Sequence, residues 1–223
     1  MWKVISLYWK DLLGSGIAFT LLLALIAVIG GVIIGTLFAV GRMSKLKVLR
    51  GLIVAIVEVV RGTPALLQLY VGYFFVPAFF PAMNSLDPTL MAFICVAVAL
   101  TINSGAYVSE IIRSGIEAVD KGQTEAARSL GLSGKDAMLD IVLPQAVKNI
   151  LPALGNEFIT IIKETSLAST FFVGELMTKY KNIVGVTYDS VSTLMVVGII
   201  YFILDFALSK GMKTLERSMK AHA

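Results

Sequence analysis

Five apolar stretches joined by short polar connections dominate the chain, covering residues 12–41, 52–81, 88–112, 141–162 and 191–209. Each is close to or above the roughly 20 residues that a helix needs to cross the hydrocarbon layer. None shows the two-residue alternation of a barrel strand. A segment in lipid must satisfy its own backbone polar groups, which leaves the helix as the form each stretch can take. The pattern therefore predicts an all-α membrane protein with five transmembrane helices in one domain over 1–223. The first span is uncharged, the second carries Glu58 and Arg61, and the third is uncharged until Glu110. Lys148 and Glu157 interrupt the fourth, and Asp205 alone marks the fifth. Between the last two, 166–187 is too interrupted to span and reads as a re-entrant or surface helix.

Breakers refine the outline. Gly62-Thr63-Pro64 sits early in the second span, where proline removes a backbone donor and glycine weakens the turn, so a kink is expected there. Pro144 and Pro152 bracket the start of the fourth. Small residues at Gly14-Ser15-Gly16, Gly30-Gly31 and Gly35 permit close helix packing.

Composition agrees with the membrane reading: 57% of residues are hydrophobic, 15% are charged and the mean hydropathy is +0.84. The net charge of +4 calls for no nucleic-acid partner, because bases flanking spans set orientation first. Counting Lys and Arg connection by connection places thirteen on the side of 42–50, 113–148 and the tail, against four on the other. The expected topology is thus N-terminus outside and C-terminus inside. Lys3 and Lys10 imitate the basic start of a signal peptide, but the apolar run after them is about twice the usual length, so it is read as a retained span. One cysteine, Cys95, and one histidine, His222, cannot build a Cys/His metal cage.

The connection at 117–144 contains Gly131-Leu132-Ser133-Gly134-Lys135, which imitates a phosphate loop. The imitation fails: Ser129 stands where the first glycine belongs, Asp136 replaces the magnesium-binding hydroxyl, and no strand precedes it. A helix over 124–130, stopped by Gly131, followed by a second short helix capped by Ser133, fits better. Small Ala126 and Ala127 with apolar Leu130 and Leu132 suit docking into a partner's groove. Resting on lipid headgroups is the alternative, and the residues alone do not separate the two.

Ionisable groups inside spans are functional candidates by default. Glu58 and Arg61 stand one turn apart and read either as a neutralised pair or as part of a gate with Gly62 and Pro64. Asn103, Tyr107, Glu110 and Ser114 form one polar stripe, and Glu157, Thr160 and Glu164 a second. With Ser104, Ser166 and Gln68 they line a polar path or act as glue between helices. Glu110, Glu157 and Glu164 offer acceptors for a cationic group, and Gln68, Tyr107, Ser166 and backbone amides offer donors for an anionic one, with Arg61 or Lys163 assisting. Lys163 otherwise snorkels outward, and Asp205 caps, pairs or meets substrate.

Glu125-Ala126-Ala127, then Gly131, Ile141 and Leu143-Pro144 at their present spacing, resembles the signature loop of membrane subunits of bacterial ATP-binding-cassette importers. Arg61-Gly62-Thr63-Pro64, Ser104-Gly105-Ala106-Tyr107 and Lys163-Glu164-Thr165-Ser166-Leu167 resemble the polar amino acid branch of that family. The resemblance implies that 117–144 carries a cytoplasmic coupling helix seated in a separate ATPase, with ATP and magnesium on that partner and no cofactor on this chain. It further implies a second permease subunit, identical or similar, two ATPase subunits, an extracytoplasmic solute-binding protein and an amino acid substrate. The rival expectation is an ion-coupled carrier or channel without an ATPase, which five spans lacking an inverted repeat disfavour.

Overall fold

A computed structural model describes residues 1–221, with side chains through Ser218; the Lys220 side chain and His222 lie outside the described residues. Every regular element among them is a helix. In chain order these are α1 (Trp2–Trp9), α2 (Ile17–Arg42), α3 (Lys47–Gly62), α4 (Ala65–Phe79), α5 (Pro88–Glu117), α6 (Lys121–Ser129), α7 (Gly134–Asp136), α8 (Leu143–Glu164), α9 (Leu176–Thr187) and α10 (Ser190–Ala221). A π turn over Lys10–Gly16 joins α1 to α2, and another over Ala137–Val142 joins α7 to α8. Four continuous helical stretches are long and apolar enough to cross a membrane: Trp2–Arg42, Pro88–Glu117, Gly134–Phe171 and Ser190–Ser218.

The predicted second span is two helices. α3 and α4 meet at 113°, a broken span or a re-entrant loop rather than the expected kink. Pro64 has no N–H to give and its ring forces the preceding residue out of the helical region, so Thr63 is extended at φ −114°, ψ 149°. The Gln68 amide group secures the break: Nε2 donates to Val60 O (2.6 Å), Thr63 O (3.0 Å) and Thr63 Oγ1 (3.0 Å). Carbonyls freed by the lost turn thus regain a partner where water is absent.

The most extensive helix pair is α2 on α5. Lipid tails are as apolar as leucine, so such a pair gains from close packing more than from burial. Glycine provides the approach: a Cβ on Gly31 would sit 2.7 Å from Ser104 Oγ, and one on Gly35 2.7 Å from Val108 Cβ. Leu23, Ala24 and Ala27 of α2 join Val96 and Leu100 of α5, Leu69 of α4 and Ile161 of α8 in the main core.

The 166–187 segment is embedded rather than superficial. A 3-10 turn over Thr165–Phe171 leads to α9, whose N-terminus is capped by Glu175, fully buried. Its carboxylate accepts from Met177 N (2.6 Å), Thr178 N (2.7 Å) and Thr178 Oγ1 (2.7 Å). Leu176 N donates to Thr20 Oγ1 of α2 at 3.2 Å, tying the segment to the end of the bundle that holds α1. The opposite end holds Arg42, the start of α3, the end of α5, and α6.

Candidate functional site

Two groups of residues stand out from the packing. The first is the elbow between α5 and α8. Asp120 caps α6 by accepting from Gly122 N at 2.6 Å, so the helix begins three residues before the expected Thr124. Gly131 lies at φ +91°, a conformation that costs other residues about 1–2 kcal/mol, and Leu132 N closes the turn on Ala127 O at 3.1 Å. Ser133 Oγ accepts from Asp136 N at 3.2 Å, as its N-cap reading required. The helix it starts is not short, however: it runs on through α8 to Phe171. Glu125 and Ala126 face solvent, Ala127 packs inward, and Leu130 is 83% exposed. Leu132 is half-buried, and Leu143 and Pro144 open α8. α6 packs on the Ala137–Val142 turn, so the elbow is mounted on the same rod as the fourth span.

The second group is the polar set on α5 and α8, which the structure divides. Towards the elbow end, Glu110 Oε2 takes Arg42 Nη1 at 2.9 Å and Arg61 Nη1 at 3.8 Å, while Oε1 pairs with Arg113. The Arg61 guanidinium also lies 5.5 Å from the centre of the Tyr107 ring. The expected Glu58–Arg61 pair is absent: Glu58 and Gly62 are exposed, and Arg61 turns to the carboxylate on the neighbouring helix. Glu110, expected as a free ammonium acceptor, is already matched by arginines. A cavity of about 380 Å³ opens beside this cluster, lined by Arg61, Tyr107, Glu110, Ser114, Asn149 and Ala153 among others. That volume falls in the range of small-molecule sites.

Deeper lie groups with capacity to spare. Gln68 Oε1 accepts from Asn103 Nδ2 at 2.9 Å, which ties Gln68 to the α3–α4 break while it also lines a cavity of about 660 Å³. Asn103 Oδ1, Ser104 Oγ, Glu157 Oε1 and Glu164 Oε2 are buried without a hydrogen-bond partner. Glu157 is 8% exposed, and Ser104 lies close to it across the α5–α8 contact. Buried polar atoms are rarely left unpaired, so each such atom needs an explanation. Thr160 bonds back to Asn156 O at 3.0 Å, and Ser166 sits in the 3-10 turn. Lys163 does not snorkel away; its Nζ pairs with Asp205 Oδ1 of α10 at 3.1 Å.

Sequence reasoning missed Arg42 and Asn149. Arg42 had been counted only as a topological charge. Asn149 stands eight residues before Glu157 on the same helical stripe, a spacing that would have revealed it.

An all-helical membrane bundle with a rigidly mounted polar elbow and a buried polar seam is the architecture of a transporter's membrane component. Residues 31–220 match the family described as binding-protein-dependent transport system inner membrane components, and the chain belongs to that family. It is 36% identical to the L-cystine transport system permease protein of Bacillus subtilis (strain 168), over 98% of this chain and 91% of that protein. It is 38% identical to the arginine transport system permease protein of the same organism, over 93% and 92%. Among solved structures, an amino acid ABC transporter crystallised with histidines superposes with a TM-score of 0.87 at 41% identity, covering 95% of each chain. The MetNI methionine ABC transporter in an inward-facing form shares the fold, with a TM-score of 0.73 at 19% identity over 93% of this chain and 96% of that one.

Proposed function

We propose that this chain is the permease subunit through which an ATP-driven importer moves a polar amino acid into the cytoplasm by alternating access. Family membership sets aside the ion-coupled carrier. The elbow end, richest in bases, is the cytoplasmic end. There α6 seats in an ATPase subunit that holds ATP and magnesium, and Leu130 fills an apolar pocket on it. A second permease subunit completes the wall, two ATPase subunits drive it, and an extracytoplasmic solute-binding protein delivers substrate. Asn103 Oδ1, Glu157 Oε1 and Glu164 Oε2 have capacity to spare because the amino acid supplies their partners in transit, its ammonium facing the carboxylates. Arg61, beside the 380 Å³ cavity, offers a donor for the carboxylate group.

The observation that carries this reading is the mounting of the elbow: one helical rod links the turn at Gly131 to Glu157 and Glu164, so movement of α6 reaches the polar seam. Gly131→Leu tests it, because a side chain at φ +91° forces the turn to change and α6 to swing while little else touches the site. The assembled complex, reconstituted with its ATPase and binding protein, is expected to lose substrate-stimulated ATP hydrolysis and uptake while retaining expression and assembly. Full stimulation in that variant would refute the reading.

A further inference from the structure

Resting on the permease reading only for which end is cytoplasmic, the structure assigns a second site: a seat for the phosphate of an anionic glycerophospholipid of the inner leaflet, between α2, α3 and α5. A cavity of about 300 Å³ lies there, walled by the guanidinium groups of Arg42, Arg50 and Arg113 and floored by aliphatic Ala39, Val54 and Ile116. It is a different cavity from the 380 Å³ one, which Arg61 lines, and the two flank the same Glu110 cluster.

The charges around it do not balance. Glu110 is matched by Arg42 and Arg113, and Glu117, the acid on the cavity wall, by Arg113. With Arg61 also reaching Glu110 at 3.8 Å, the arginines outnumber these two carboxylates, and Arg50 has no ion-pair partner within 4.0 Å among the described residues. Lys45 in the adjoining connection and Lys47 at the start of α3 add to the same field. Planar guanidinium forks suit phosphate oxygens.

The mixed lining selects the occupant. A free phosphate ion has no use for an aliphatic floor, whereas a lipid's glycerol and first methylenes do. The cavity lies where α2 and α5 end and α3 begins, the level of headgroups, and basic pockets between helices on the cytoplasmic face hold anionic lipid heads.

Native mass spectrometry of the purified full-length chain, with any subunits that remain attached, tests the assignment. The detergent solution carries equimolar phosphatidylglycerol and phosphatidylcholine. The wild type is expected to keep phosphatidylglycerol preferentially. Arg50→Gln is expected to lower the retained fraction about fivefold, the effect of one base near a charged leaflet. Arg50 is exposed and holds no partner in place, so its loss leaves the helices packed. Val54→Phe keeps every charge but fills the floor, and is expected to lower retention likewise; Lys10→Gln, at the opposite end, is expected to leave it unchanged. No preference between the two lipids, or unaltered retention in Arg50→Gln and Val54→Phe, would overturn the site. Displacement of the lipid by millimolar inorganic phosphate would assign the cavity to a free anion and overturn the lipid assignment. Retention is read without ATP or substrate, so a chain that transports but holds no anionic lipid loses this site and keeps its proposed function.

Discussion

Gln68 shows how one side chain changes meaning between sequence and structure. As a lone polar residue in an apolar run it read as part of a substrate path. Its amide instead bridges Val60 O, Thr63 O and Asn103 Nδ2, across the break between α3 and α4. Gln68→Leu keeps the volume and orphans Thr63 O and Asn103 Nδ2, while Val60 O keeps the Thr63 hydroxyl at 3.3 Å. Each orphan inside a membrane protein costs on the order of 1 kcal/mol, so a loss of about 2 kcal/mol in unfolding free energy is expected in micelles. Gln68→Glu, which accepts from Asn103 but donates to nothing when ionised, is not expected to restore it. Wild-type stability in Gln68→Leu, combined with a changed apparent affinity for substrate, would return the residue to the path.

At the scale of elements, the glycine stop of α6 was legible, because Gly131 and the loop signature sit in consecutive sequence; its start at Lys121 under the Asp120 cap was not. Ser133 was read correctly as a cap, yet the length of the helix it starts was not. The π turn at Ala137–Val142 carries α7 into α8 without a break, and no residue there announces continuation or ending. The 113° bend was seen only as a kink, since Pro64 fixes where a helix stops and not where the next one points. Leu130 gives the element its test. At 83% exposure it contributes almost nothing to the chain's own fold, so Leu130→Asp is expected to leave stability within about 0.5 kcal/mol. Burying a leucine in a partner is worth about 1.5–3 kcal/mol, hence ATPase association about 10- to 100-fold weaker by surface-immobilised binding. Undiminished association would mean that α6 does not dock through this side chain.

For the whole molecule, four of the five expected spans and the polar stripes followed from periodicity, while the second span is the bent pair α3–α4; the pairings between stripes did not follow, because they depend on rotations that no single helix encodes. Arg61 chose Glu110 over Glu58, and Lys163 chose Asp205, 42 residues along the chain. The second choice bears on assembly. Lys163 stands in the last turn of α8 and Asp205 midway along α10, with side chains 57% and 37% exposed in the isolated chain, and Phe202 and Phe206 lie beside Asp205 on α10. An ion pair inside a membrane bundle is costly against hydrocarbon, so under the proposed assembly this face belongs against a second permease subunit or against water. A double-mutant cycle of Lys163→Met and Asp205→Leu in the assembled complex separates pairing from mere polarity. Each single change leaves an uncompensated charge and is expected to destabilise; the double change removes both and is expected to recover most of the loss. The coupling energy should be about 1 kcal/mol, as for other contacts between membrane helices. Additive losses would show that the two charges act independently, each on its own partner across the interface.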